Sequence, residues 1–412
     1  MKYPKSLILN KSNTNINLII KGQGVFIFET TDTSPCTFTF FNKDKTEGII
    51  VVFSTDNLKV NRIGLLEPLN DPNNKTGLTS ISGAYYWFSL DSQNQTLYAG
   101  IGETRLDTVI YKYQFTYKDN DERKANKKFL ESLVNIIVDS STISPLKLLR
   151  DPITLTMPLI VKNTESLSIN HIAEGKYLPK SNLSMMGQKL YDCISGKNFV
   201  LDDNDFPDFS KAIEYSIATK DMWCYKKLKE KSTEFNKDKP NYNETYLRIT
   251  LGQNNGESPG IPYVLEIWPV QHFSPIHNHG TANAIIKVLH GSINVKLFPY
   301  LSGNTEAVKP FAVKNFHKND ITWISPTLNQ VHQLTNIGNK HTCITIQCYM
   351  YEQENTTHYD YFDYVDDNGE IKQYEPDSDM DFVEFKKRMK EEWNSRPQNK
   401  SILSRCLSCF KN

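Results

Sequence analysis

Neither sign of charge is in excess in this chain: over 412 residues, 47 Lys and Arg are matched by 47 Asp and Glu. Without a net field to attract a polyanion or an anionic bilayer, nucleic acid and membrane surfaces are excluded as main partners, and a small molecule is the expected one. Long apolar runs are lacking as well. The N-terminal MKYPKSLILNKSNTN holds only a short apolar run, less than a signal-peptide core, and no segment reaches the length of a transmembrane helix. A regular cysteine framework is the third absence. Seven cysteines, at Cys36, Cys193, Cys224, Cys343, Cys348, Cys406 and Cys409, are an odd number without the spacing of a secreted disulfide scaffold, so a reducing, cytoplasmic location is expected. Cys406 and Cys409 form a CxxC without a second pair, which argues against a structural zinc site, and their basic surroundings allow S-acylation. There is no internal repeat.

A chain of this length exceeds one ordinary core, and two domains of roughly 150 to 200 residues are expected. Residues 1 to about 120 carry short runs rich in Val, Ile, Phe, Tyr and Thr between polar turns, among them GVFIFET, CTFTF, GIIVVF and TVIYKYQFTY. Such runs predict an antiparallel sandwich. Helical spacing of Phe129, Leu133 and Ile136 or Ile137 predicts a helix over 120–139. After a mixed stretch with the β-like ITLTMPLIV, helical periodicity runs from 184 to about 236. Strand patterns return from 245 to 350, and DMDFVEFKKRMKEEW closes them with a stripe of Phe382, Phe385, Met389 and Trp393. The predicted organisation is a β-rich domain over 1–180, a second β domain with flanking helices over 181–393, and a polar tail over 394–412. In the first domain, GAYYWFSLDSQNQTLYAGIGETR leaves two readings open, core aromatics or a face for an unknown ligand or partner.

The chemistry concentrates in SPIHNHG, residues 274–280. Residues i and i+2 of a strand point to one face, so His277 and His279 would send both imidazoles into one interior. Two solvent-facing loop histidines are the other reading. A third histidine, His332 in PTLNQVHQLTN, lies on a later strand that a small barrel can bring beside the first. Three imidazoles without a carboxylate would leave up to three positions of an octahedral ion open. His272, His290, His317, His341 and His358 have no matched partner in the sequence and are read as surface or supporting residues. Cys343 and Cys348 are read as small apolar fillers.

The HxH, a turn glycine about a dozen residues later, and His332 followed by Asn336 resemble the two cupin motifs. The customary cupin glutamate is missing: Asn283 and Ala284 stand where it would be. A three-histidine cupin resembles the thiol dioxygenase branch, and cysteine dioxygenase in particular. Tyr246 and Arg248 in YLRITL precede the HxH as that family's substrate-binding Tyr-x-Arg does, EIWPVQHFSPIHNHG is similar to its segment from Trp to HxH, and Tyr349 follows His332 at the spacing of its active-site tyrosine. The resemblance covers about residues 180–365 and leaves the N-terminal half unassigned. It implies a cupin (double-stranded β-helix) fold and one iron(II) ion held by His277, His279 and His332. It further implies a small thiol and dioxygen as substrates, with L-cysteine oxidised to cysteine sulfinic acid, in cysteine catabolism. On this resemblance Arg248 and Tyr349 are catalytic, and Arg248, Tyr246, Tyr349 and Trp268 contact substrate. 3-Mercaptopropionate is an alternative substrate, and a catalytically silent metal-binding sensor or scaffold is an alternative of a different class. Two departures stand out. Ala284 occupies the position that crosslinks to the tyrosine in animal members, and the family's Ser-x-His-x-Tyr reads Thr345, Gln347, Tyr349, so an amide that cannot titrate replaces the histidine.

Overall fold

The computed structural model describes residues 3–397 apart from 11–13, 31–32, 56, 66, 70–83, 140–142, 253–262, 306–307 and 352–361. His358, Cys406 and Cys409 therefore lie outside the described residues. The chain is mainly β, as the strand patterns predict, and among the described residues its strands form two large sheets in each half and one two-stranded sheet between them in sequence.

In the N-terminal half, a six-stranded sheet in the order Ser6–Ile8, Ile143–Leu149, Gln23–Thr30, Tyr85–Asp91, Thr96–Ile101, Val109–Gln114 faces a five-stranded one. The second is ordered Asn15–Asn17, Leu133–Asp139, Cys36–Asn42, Gly48–Phe53, Leu58–Arg62. Alternation along these strands sends Phe26 and Phe28 from one sheet, and Phe38, Phe40 and Phe53 from the other, into a shared core. Their rings meet at 5.1 Å for Phe28 and Phe53 and 5.2 Å for Phe26 and Phe38. The helix expected over 120–139 stops early. Asn120–Ser132 is helical, capped by Asp119 accepting from the N–H groups of Asp121 and Glu122, but Leu133–Asp139 is a strand. LVNIIVD is dominated by branched side chains that prefer a pleated surface, and it is sandwiched between Asn15–Asn17 and Cys36–Asn42. The ITLTMPLIV run supplies a strand only at Ile160–Lys162, paired in parallel with Tyr177–Pro179.

The C-terminal half closes two six-stranded sheets over one another. The first runs Ile321–Ile324, Asn283–His290, Cys343–Met350, Tyr263–Trp268, Leu247–Leu251, Met380–Asp381; the second runs Ala312–His317, Ser292–Phe298, Val331–Thr335, Ile276–His277, Phe362–Val365, Ile371–Tyr374. Consecutive strands alternate between sheets or pair within them as in a double-stranded β-helix. The chain crosses from Asn283–His290 in the first sheet to Ser292–Phe298 in the second, which are not paired with each other, at Gly291 with φ +68°, where a Cβ would stand 2.5 Å from the carbonyl oxygen of Thr342. Helices Met185–Ile194, Phe209–Ala218, Trp223–Glu230 and Phe382–Ser395 cover the outer face of the first sheet through Leu190, Phe209, Leu228, Phe385 and Met389. Cys343 and Cys348 are fully buried between these layers and the interior.

Candidate metal centre

Register fixes the site. His277 lies directly across from His332 in an antiparallel pair, so their side chains leave the sheet on the same face. His279 follows two residues on, as the sheet turns at Gly280. The three rings converge, with centroids 4.6 Å apart for His277 and His332, 4.9 Å for His279 and His332, and 5.0 Å for His277 and His279. His279 and His332 are buried, and His277 is half-buried and lines two cavities.

Backbone carbonyls orient two of the rings. Pro275 O lies 3.0 Å from Nδ1 of His277 and Asn329 O lies 3.2 Å from Nδ1 of His332, which places a proton on each Nδ1 and leaves each Nε2 a bare lone pair. Nε2 of His332 then sits 3.1 Å from Nε2 of His279. Two nitrogens bound to one ion at about 2.0–2.1 Å stand about 2.9 Å apart at a right angle and about 3.3 Å apart at a tetrahedral one, so this spacing fits a shared ion. Buried Nδ1 of His279 has no hydrogen-bond partner among the described residues. Burial disfavours the imidazolium at all three rings: it lowers His277 to about 4 and His332 to about 3, and holds His279 well below its usual value with the neighbouring rings adding to the effect. All three are neutral donors at physiological pH. Among the described residues, no Asp or Glu joins that cluster.

The other inward residues come from the first sheet. Arg248, Glu266 and Thr345 form one row across three paired strands, because Arg248 is opposite Glu266 and Glu266 opposite Thr345. Thr345, Gln347 and Tyr349, alternating along one strand, share a face with them. The result is a chain of polar contacts through the interior: Tyr349 OH donates to Gln347 Oε1, Gln347 Nε2 donates to Glu266 Oε2, and Arg248 Nη1 donates to Glu266 Oε1 at 3.0 Å. Arg248 is therefore already paired with a buried acid, while its Nε has no partner among the described residues. Burial raises Glu266 despite the opposing pull of Arg248 and the amide of Gln347, and it raises Tyr349 strongly, with Glu266 adding to the effect. Tyr246 stacks on Trp268 with ring centroids 4.2 Å apart. Trp268 is buried and lines the cavity.

That cavity, bounded by the three histidines, Tyr246, Arg248, Glu266 and Trp268, has a volume of about 60 Å³. This is room for a ligand of a few heavy atoms. Ile286, Val288, Phe316 and Leu334 add apolar wall, and Thr322, Asn329, Thr345 and Gln347 add polar side chains.

Glu266 is the residue that sequence reasoning missed. Its signal was the alternation in YVLEIW, which puts Val264, Glu266 and Trp268 on one face. His290 and His341, read as unmatched, share Glu214 Oε1 at 3.2 Å each, and His272 is buried against Thr245. Ala284 lies directly across from Tyr349.

No family model matches the chain. Solved structures similar to part of it include the cupin domain of Cnp3 from Schizosaccharomyces pombe, at 13% identity over 26% of this chain and 65% of that one with a TM-score of 0.21. Oxalate oxidase in complex with the substrate analogue glycolate is similar at 17% identity over 26% and 51%, TM-score 0.21. A double-stranded β-helix protein from Klebsiella pneumoniae is similar at 17% identity over 30% and 82%, TM-score 0.21. The first two are matched over less than two thirds of their length. The fold assignment rests on the strand order and register given above, which make the C-terminal half a cupin-type double-stranded β-helix.

Proposed function

We propose that the chain is a metal-dependent cupin that holds iron(II) on His277, His279 and His332 and oxidises a small thiol with dioxygen, L-cysteine going to cysteine sulfinic acid. The observation that carries this reading is the convergence of three neutral imidazoles, without a carboxylate among them, on a cavity of a few heavy atoms' size. Iron(II), when bound, supplies the redox chemistry by which dioxygen and sulfur react. A donor set of three neutral rings leaves a dication uncompensated, which favours a substrate thiolate over the thiol. Arg248 spends Nη1 on Glu266 and retains Nε for the substrate carboxylate. The stacked pair of Tyr246 and Trp268 walls the pocket, and the apolar lining excludes water. Tyr349 has one hydroxyl proton and directs it to Gln347, so it hydrogen-bonds the reacting sulfur or oxygen by releasing that amide.

Oxygen uptake by iron-loaded protein on addition of L-cysteine tests this, with 3-mercaptopropionate in parallel and the product identified by mass. Loss of uptake in His332→Ala and a raised KM in Arg248→Met are expected. A second reading is favoured by one observation: Glu266 and Gln347 already engage Arg248 and Tyr349. Iron bound at one ion per chain without oxygen uptake on either thiol would select a metal-binding sensor or scaffold.

A further inference from the structure

The strands that carry the metal ligands have a second face, and that face belongs to the N-terminal domain. Along Ile276–His277 and Val331–Thr335, neighbouring residues point opposite ways. His277 and His332 line the barrel cavity, whereas Ile276 and Val331 pack into the core of the N-terminal sandwich. Phe298 and Tyr300 of the barrel join the same core. The two halves thus share one apolar interior directly behind the histidines.

At the edge of that interior a loop of the sandwich, residues 102–105, reaches the groups that support the ligands. Gly102 adopts φ +75° and passes so close to the barrel that a Cβ would stand 2.1 Å from Pro299 O. Glu103 N–H donates to Pro299 O at 3.1 Å. Both following side chains are buried, at 3% exposure for Glu103 and for Arg105. Glu103 Oε1 accepts the backbone N–H of Gln330 at 3.0 Å. Arg105 Nη1 donates to Asn329 Oδ1 at 2.7 Å, and its Nη2 donates to Met157 O at 2.9 Å.

Asn329 and Gln330 are the residues on which two ligands rest. Asn329 O is the acceptor that sets the tautomer of His332, and Gln330 Oε1 accepts the backbone N–H of His279 at 3.2 Å. Gln330 Nε2 ties the same turn to Ala282 O at 3.2 Å. Asn329 itself sits at φ +62°, a left-handed conformation that asparagine tolerates and that its contacts must hold. Adhesion between the domains does not require a buried carboxylate and guanidinium, because the apolar core behind the strands already supplies it. Buried ion pairs add little net stability, and the role they serve best is fixing one arrangement over others.

We propose that Glu103 and Arg105 are positioning residues for the metal centre: the N-terminal domain holds the Asn329–Gln330 turn so that the His332 ring and the His279 backbone stay in ligating geometry. The proposal rests on the three histidines forming one metal site. It gives the N-terminal half a part in that site, through contacts one residue removed from two ligands.

The test uses the full chain loaded with cobalt(II), whose visible spectrum reports ligand geometry. Affinity is read by competition with a chelator, and melting temperature is recorded without metal. Arg105→Met and Glu103→Leu, which remove the contacts to Asn329 and to the Gln330 N–H, are expected to weaken cobalt binding about tenfold or more and to shift the visible spectrum. Phe38→Leu, in the sandwich core and outside the hydrogen bonds of the loop, is the control: it should lower the melting temperature while leaving both metal readouts unchanged. Arg105→Lys keeps the charge without the planar fork and carries the same expectation if the methionine variant does not fold. Wild-type affinity and spectrum in the loop variants would overturn the proposal, as would an equal loss of affinity in Phe38→Leu. If the unmodified chain binds no cobalt, the three-histidine site itself falls and the proposal with it, an outcome distinct from variants that bind as well as wild type.

Discussion

Replacing Glu266 by leucine removes the acceptor that Arg248 Nη1 reaches at 3.0 Å and leaves a guanidinium in the barrel interior. Both side chains are 7% exposed, so water offers little relief. An uncompensated buried charge of this kind costs about 3–5 kcal/mol, whereas replacing both partners by apolar residues of similar volume is close to neutral. The two single variants are not symmetric. In Arg248→Met the stranded carboxyl can shed its charge by binding a proton, which burial already favours by holding Glu266 above the usual carboxylate range. Its cost therefore falls at the low end of that span and grows as pH rises. The guanidinium left by Glu266→Leu has no such escape, because a guanidinium is too strong a base to give up its proton near neutral pH. A double-mutant cycle by urea denaturation at pH 7, with Arg248→Met, Glu266→Leu and the pair together, should give a double variant several kcal/mol more stable than the sum of the singles implies. Singles that add to within about 0.5 kcal/mol, or a Glu266→Leu cost below about 1 kcal/mol, would refute the reasoning.

Glu244, buried and facing Asp367 and Asp366, is raised to about 7, first by burial and then by those charges. A carboxyl whose folded value exceeds its unfolded one of about 4.3 binds its proton more tightly when folded, so its contribution to stability is full below that value and is lost as pH rises through 7. Glu244→Gln should flatten that slope and be about 1–2 kcal/mol more stable than wild type at pH 8, allowing for screening near the surface; equal slopes in pH-dependent melts would contradict this. Metal that binds only the folded state stabilises it by about 2.7 kcal/mol at one hundred times its dissociation constant. Saturating zinc or cobalt should therefore raise the melting temperature by several degrees, chelation should reverse the shift, and His332→Ala should abolish it.

The imidazole cluster was legible because strand periodicity is a local rule. HxH spacing keeps His277 and His279 close, although the strand ends at His277 and His279 lies just beyond it, and a third histidine on a later strand needs only antiparallel pairing to join them, which the His277 and His332 register supplies. The sheet class was legible for the same reason. What local patterning could not show was which element would pair with which. Leu133–Asp139 carries a helical spacing of apolar residues, yet two neighbouring strands claim it. The pairing of Arg248 with Glu266 joins residues 18 apart on adjacent strands, and neither residue type announces the other. Arg105 and Asn329 meet across 224 residues of sequence, through a close approach that only the three-dimensional course of the chain reveals.

On the proposed reading, Glu266 also changes the charge that the pocket asks of its substrate. Arg248 and Glu266 cancel, and the three histidines are neutral, so a bound dication would be the net charge left to balance. A thiolate that also bears a carboxylate balances it fully, whether the thiol is cysteine with a neutral amine or 3-mercaptopropionate. Cysteamine, which offers a thiolate alone, leaves one positive charge in a low-dielectric cavity, where uncompensated charge is costly. Carboxylate-bearing thiols should therefore displace cysteamine from the cobalt-loaded protein, read by the visible spectrum. Glu266→Gln, which makes the cavity one unit more positive, should widen that preference. An unchanged or reversed order in Glu266→Gln would mean that the Arg248 carboxylate contact, and not the charge balance of the whole cavity, governs selection.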